Sequence, residues 1–255
     1  MTVNEAERDR RLRELRPYME QARRMEGWTF EFEPAPLGPP PPWDYVARAR
    51  ELAASAQTVL DMGTGGGEVF ADILEGFAGL AVATESWPPN VAVAARRMAP
   101  LCAPLVHASS LALPFVGSCF DLVVNRHEEL DPADVARVLA PGGRVLTQQI
   151  HPDYHAELRE FFPRMVDFAP NDVLYPAGFA AAGLQIVDVR RHDRPVAYRR
   201  LGDLVYELVA APWTIPDFDV EADLDALLNV EAKLGRAEGI VLRDRRYIIE
   251  ACKPR

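Results

Sequence analysis

Apolar positions along the chain change spacing as it proceeds, and the changes divide it into regions. Leu12, Leu15, Met19, Ala22 and Met25 recur at steps of three and four in a run rich in Arg and Glu. That spacing predicts an amphipathic helix with one apolar stripe. Residues 34–42 then hold six prolines in nine positions. Proline fixes φ and lacks an N–H, so this stretch is an extended connector, not a helix or an interior strand. From Trp43 to Ile150, short apolar runs alternate with helical spacing. Thr58–Asp61, Leu80–Glu85, Leu105–His107, Phe120–Val124 and Arg144–Gln149 read as strands. Tyr45–Ala54, Val69–Phe77, Asn90–Met98 and Pro132–Leu139 read as the helices between them. Apolar strands separated by helices predict a parallel sheet covered on both faces. Leu184–Val189 and Tyr247–Ala251 read as a late strand pair, separated by two helical stretches and the loop Pro212–Pro216. They suit an antiparallel edge on that sheet.

The predicted architecture is therefore α/β, a doubly wound, mostly parallel sheet with an antiparallel C-terminal edge and an N-terminal helical arm. Residues 1–42 form the arm and connector. Residues 43–255 form the main domain, divided into a ligand-binding core at 43–150 and a C-terminal region at 151–255. The arm suits three roles equally: a cap over a site, a homodimer contact, or a surface helix.

Composition narrows the partners. The 255 residues can bury one sizeable core, and 49% hydrophobic with 26% charged residues fits a globular protein. A formal net charge of −10 disfavours a protein that grips nucleic acid through phosphates. The main basic concentration, Arg190, Arg191, Arg194, Arg199 and Arg200, reads as a solvated hairpin. Cys102, Cys119 and Cys252 are scattered without ligand spacing, which points to reduced thiols and no metal. The first residues are charged, and no apolar run has bilayer length, so the expected setting is cytoplasmic, away from membranes.

A parallel sheet binds ligands beyond the carboxyl ends of its strands. The first strand-to-helix turn reads Asp61-Met62-Gly63-Thr64-Gly65-Gly66-Gly67-Glu68. Its glycines permit tight turning and close approach of a ligand. The dinucleotide fingerprint fails at its third glycine, where Glu68 stands. Asp61 and Glu68 would also repel a pyrophosphate, so a cationic ligand suits the loop better. Glu85 ends the next strand, 24 residues after Asp61, where an acid meets ribose hydroxyls in such folds.

These features resemble the class I S-adenosylmethionine-dependent methyltransferases. Val59 to Glu68 is similar to their first motif, and Glu85 to their ribose-binding acid. Leu113-Pro114-Phe115 followed by Ser118-Cys119-Phe120-Asp121-Leu122-Val123 resembles their stretch from adenine loop to fourth strand. Val138-Leu139-Ala140-Pro141-Gly142-Gly143-Arg144 resembles the turn into the fifth. The resemblance covers residues 43–150. It implies a Rossmann-like fold, S-adenosylmethionine as cofactor, and methyl transfer. The implied cofactor-binding residues are Asp61, Gly63, Thr64, Gly65, Glu85, Ser86, Trp87, Ser109, Ser110, Leu111, Asn125 and Arg126. Many relatives have an acid before the Leu-Pro-Phe run; this chain has Ser109 and Ser110. Trp87 matches a position that packs on the adenine face.

Catalytic candidates follow the fourth strand of the core, where side chains meet the crevice. His127 is a candidate base, Glu128 its orienting group or the holder of a cationic acceptor, and Arg126 can bind a carboxylate. Gln149, His151 and Trp213 are candidate substrate contacts. A zinc site at His151 and His155 fails for want of further ligands. The leading function is methyl transfer to a small-molecule oxygen or nitrogen. An RNA base methyltransferase and a non-catalytic S-adenosylmethionine-binding module stand as alternatives.

Overall fold

In the computed structural model, which describes residues 4–255, the chain alternates helix and strand along most of its length. It runs α1 (Glu5–Arg23), β1 (Ala35–Pro36), α2 (Tyr45–Ala53), β2 (Thr58–Met62), α3 (Glu68–Ile73), β3 (Leu80–Glu85), α4 (Pro88–Met98), β4 (Leu105–His107) and β5 (Phe120–Arg126). It continues through α5 (Pro132–Val138), β6 (Leu139–Ile150), α6 (Asn171–Ala181), β7 (Gln185–Tyr198), α7 (Leu201–Ala210), α8 (Leu224–Leu234), β8 (Gly235–Arg236) and β9 (Gly239–Cys252). One sheet joins these strands in the order β1-β7-β9-β6-β5-β2-β3-β4, with β8 paired to β9. The pairs among β2 to β6 are parallel, and those of β9 and β1 are antiparallel. This is the Rossmann-like arrangement the motifs imply.

Strand alternation assigns the two faces. In β5, Val123 packs with Leu60, Val145 and Phe179 against α5 and α6. Its neighbours Leu122 and Val124 pack with Val59, Ala49 and Phe70 against α2 and α3. Each fully buried aliphatic side chain contributes about 1.5–3 kcal/mol. A third cluster lies beyond the sheet: Leu15 of α1 packs with Leu204 and Leu208 of α7, Leu227 of α8, and Val196 and Leu242 of the long strands. The predicted stripe of α1 is the face that enters this cluster, with Leu15 and Ala22 buried.

Three expectations need correction. The late strands span Gln185–Tyr198 and Gly239–Cys252, well beyond 184–189 and 247–251. Their outer halves are rich in charge and carry little apolar periodicity, but the charges are paired across the ladder: Arg194 with Asp244 at 3.1 Å and Arg243 with Asp193 at 2.8 Å. The arginines of 190–194 thus belong to a strand, not a solvated hairpin. The antiparallel C-terminal edge itself is present: β9 pairs antiparallel with β6, and β7 with the two-residue β1 closes that side of the sheet. The helix expected over 69–77 stops at Ile73.

The crevice position follows from topology. The chain leaves β2 toward β3 and β4, then returns to place β5 on the other side of β2. The carboxyl ends of β2 and β5 therefore meet at the switch point, with Met62 opposite Asn125 and Arg126 opposite Gln148.

Candidate active site

The glycine loop folds as its sequence requires. Gly63, Gly65 and Gly67 all have positive φ, at 68°, 62° and 82°. A side chain at Gly63 would collide with Glu128, and one at Gly65 with the Trp28 ring. Glu85 reaches across from β3 to fix the loop. One oxygen accepts the Gly65 N–H at 2.6 Å and the other the Trp87 N–H at 2.7 Å.

Three acids converge here. Asp61 is buried, and burial raises its pKa to about 7; Glu85 adds to the shift, while the Thr64 hydroxyl and Arg126 act against it. Glu128 is likewise pushed up to about 7, by burial first and then by the like charge of Glu85, with the Ser110 hydroxyl opposing. Burial also raises Glu85, which its backbone donors partly offset. Buried acids held this high are only partly offset by nearby positive charge, and a cation between them would favour their ionised form. Glu68, in contrast, pairs with Arg97 at 2.9 Å and is not part of this cluster. Glycines that admit a close ligand, a loop-anchored acid at the end of β3, and uncompensated carboxylates all fit S-adenosylmethionine.

Other expected cofactor contacts divide into those at the crevice and those spent elsewhere. Ser110 is buried with its hydroxyl 3.3 Å from Glu128, and Ser109 caps the Leu111 N–H at 3.1 Å. Ser86 and Leu111 are exposed beside this loop, as is Trp87 at 47% of its surface. Asn125 does not face a ligand. It is completely buried, donates to the Met62 carbonyl at 3.1 Å and accepts from Thr147 at 2.7 Å. Gln149 shares that network, donating to the Glu128 carbonyl and Thr147 at 2.8 Å each, so it braces the loop after β5 and is not free for substrate. The amide that needed partners finds them inside the protein.

His127 is poorly suited to be a base. Its backbone is left-handed, with φ 62°, and its Nε2 accepts from Arg246 at 2.8 Å. Burial and the charges of Arg246 and Arg126 hold its pKa well below the ordinary value, so it stays neutral with its acceptor nitrogen occupied. His151 turns toward α6, 3.5 Å from Asp172, a carboxylate that Arg191 also holds at 2.8 Å.

The largest omission from sequence is the segment between α1 and the connector. Gly27 packs on Gly66, Trp28 lies on Gly65, and Glu26 pairs with Arg96 of α4 at 3.7 Å. The Trp28 ring meets Trp213 edge-on at 5.5 Å, and Trp213 meets Trp87 at 6.5 Å. Phe30 and Phe32 each meet Tyr206 of α7. Residues 26–33 thus form an aromatic strap against the glycine loop. The alternation Trp28-x-Phe30-x-Phe32 was the available signal. Trp213, a candidate substrate contact, is half-exposed between the Trp28 and Trp87 rings.

Residues 59–149 match a protein-family profile described as a methyltransferase domain. No curated protein matches the chain in sequence. Among solved structures, the chain is similar to the YcgJ protein of Bacillus subtilis, with a TM-score of 0.62 and 18% identity over 83% of this chain and 98% of that one. It is similar to a putative methyltransferase from Bacillus halodurans, with a TM-score of 0.60 and 16% identity over 82% and 99%. A functionally unknown protein from Deinococcus radiodurans matches with a TM-score of 0.61 and 20% identity over 92% and 98%. At these identities the structural likeness speaks to the fold. No helix among the described residues is long and apolar enough to cross a membrane.

Proposed function

We propose that the chain, whose residues 59–149 match a profile described as a methyltransferase domain, uses S-adenosylmethionine to methylate a hydroxyl or amine of a small molecule, with Glu128 as proton acceptor. The observation that carries this reading is the set of three acids around the glycine loop, two of them held at about 7. S-adenosylmethionine, when bound, supplies a methyl group already activated on a sulfonium.

The chain's own residues align, shield and accept a proton. Asp61 offers its charge to the cationic end of the donor. Glu85, locked by the Gly65 and Trp87 N–H groups, presents its remaining acceptor capacity to ribose hydroxyls. Gly63, Thr64 and Gly65 leave the room for this approach, with Ser109, Ser110 and Leu111 beside the adenine region. Alignment of this kind is worth about 7–11 kcal/mol. Glu128 lies between Gly63 and Ser110. A carboxylate titrating near 7 suits a base at neutral pH, because it is substantially ionised yet still basic. Trp28 and Trp213 exclude water from the crevice mouth.

Two features support a small acceptor. The strap crosses directly over the glycine loop, with Trp28 against Gly65 and Gly27 against Gly66. In the basic run at 190–200, three arginines are paired with acids, Arg190 with Asp188, Arg191 with Asp172 and Arg194 with Asp244. The test is labelled-methyl incorporation from S-adenosylmethionine into a small-metabolite extract and, separately, into bulk RNA. Label in the metabolite fraction alone is the expected result; label in RNA alone would overturn the reading.

A further inference from the structure

Glu128 sits directly after a backbone irregularity. His127 has φ 62°, in the left-handed region, which a residue with a Cβ holds where its surroundings over-determine it. The irregularity sets a direction. In a continuing strand, residue 128 would share the face of residue 126. A left-handed residue between them breaks that alternation. The Glu128 side chain accordingly lies against Gly63, with its carboxyl 3.3 Å from the Ser110 hydroxyl.

Three anchors hold this turn. The His127 N–H donates to the Gln148 carbonyl at 2.9 Å, and the Glu128 carbonyl accepts from the Gln149 side-chain amide at 2.8 Å. Both come from β6, the parallel neighbour of β5. The third grips the His127 side chain and comes from farther away. Arg246 of β9 donates from Nη1 to the imidazole Nε2 at 2.8 Å and from Nε to Asp244 at 2.7 Å. Asp244 is buried and is tied in turn to Arg194 of β7 at 3.1 Å. The Gln148 amide nitrogen also approaches Nε2, at 3.3 Å, while its oxygen accepts from the Trp43 indole at 2.8 Å. Nε2 therefore faces donors, which leaves the ring proton on Nδ1. A guanidinium is planar, so one rigid group fixes the imidazole relative to Asp244 and the β7–β9 ladder.

We propose that Arg246 is a positioning residue for methyl transfer: held by Asp244, it keeps His127 left-handed and so aims the Glu128 carboxylate across Gly63 into the crevice. The inference rests on the reading of Glu128 as the base. Arg246 acts through the imidazole and touches neither donor nor acceptor in this role. An ion pair that served stability alone would make a different prediction, because its loss would lower the melting temperature and leave the rate of the folded protein intact.

The test follows labelled-methyl transfer from S-adenosylmethionine into a fixed amount of small-metabolite extract, by the full chain and its variants. Arg246→Met should lower the rate at saturating S-adenosylmethionine by about 10–100-fold, the scale of a displacement of about 1 Å in a catalytic group. The KM for S-adenosylmethionine and the affinity for S-adenosylhomocysteine should stay within about twofold, which also reports that the variant is folded. Arg246→Lys should recover part of the rate, since an ammonium can donate to His127 without holding both partners in one plane. Added to Glu128→Gln, Arg246→Met should cost less than about twofold more, because a group that acts through Glu128 has nothing left to aim. Should Arg246→Met not bind S-adenosylhomocysteine, His127→Leu removes the same hydrogen bond from the other side and carries the same expectations. Nitrogen-15 NMR of the histidine rings gives a readout independent of turnover. The His127 ring, identified by its loss in His127→Leu, should show an unprotonated Nε2. Three results would overturn the proposal: a wild-type rate in the folded variant, a fully additive loss in the double variant, or a protonated Nε2. Failure of the underlying reading looks different, because Glu128→Gln would then itself keep the wild-type rate.

Discussion

Asp61 should destabilise the ligand-free protein at neutral pH, and Asp61→Asn should reveal by how much. Its carboxyl is raised from an ordinary 3.8 to about 7, chiefly by burial. The folded state therefore holds a proton that the unfolded state has already released across that interval. Stability is fully retained below about pH 4 and falls as pH rises toward 7, then levels off. At about 1.4 kcal/mol per pH unit, the whole interval is worth about 4 kcal/mol. Asparagine is neutral throughout and has nearly the same shape. Urea unfolding of both proteins without ligand, at pH 5 and pH 8, isolates the effect. The Asn variant should gain about 2.5 kcal/mol relative to wild type between those two conditions, since part of the loss precedes pH 5. The same variant should bind S-adenosylmethionine more weakly, because a cation loses its counter-charge. Pairs of unfolding curves that stay parallel to within about 0.5 kcal/mol, a margin set by extrapolation error, would refute a raised Asp61 pKa.

Other expected outcomes follow from the same geometry. Glu128→Gln should lower kcat by about 100-fold or more, in the range for loss of a general base, and remove a limb near pH 7 from the kcat/KM profile, below which wild-type activity falls. An unchanged profile would remove Glu128 from that role. Glu85→Gln should weaken S-adenosylhomocysteine binding by about 10–100-fold in calorimetry, as expected when hydrogen bonds to a charged group are lost. Gly65→Ala places a methyl group both in a left-handed backbone and against Trp28, so its melting temperature should fall by at least about 2–4 °C, the equivalent of 1 kcal/mol in a domain of this size. A melting temperature equal to wild type would show that the strap does not close on Gly65.

What the sequence revealed was local in character. The glycine loop, Glu85 and the apolar strands each carry their information within a few residues, because backbone conformation and strand burial act at short range. The long halves of β7 and β9 were not legible, since their stability comes from charges meeting across a ladder, such as Arg194 with Asp244. A single sequence shows both residues without showing that they face one another. The same distinction explains the site residues that changed role. Asn125 and Gln149 were visible as polar groups ending buried strands, but only the register of β5 and β6 shows that they satisfy each other through Thr147. His127 was visible as a titratable group next to the crevice, whereas the arginine that occupies its ring nitrogen comes from β9, more than a hundred positions away. Trp28 was hidden for the same reason: its contact with Gly65 depends on how α1 docks against α7.

The charges around the crevice also come from distant segments. Asp61, Glu85 and Glu128 gather about the glycine loop, and Arg246 of β9 is held by Asp244 at 2.7 Å and by His127 at 2.8 Å. In this arrangement His127 has a structural role: neutral and left-handed, it accepts from Arg246 and keeps that guanidinium beside Arg126 despite their repulsion. The run Asn125-Arg126-His127-Glu128 therefore divides by contact, with Asn125 tying Met62 to Thr147, His127 accepting from Arg246, and Glu128 meeting Ser110.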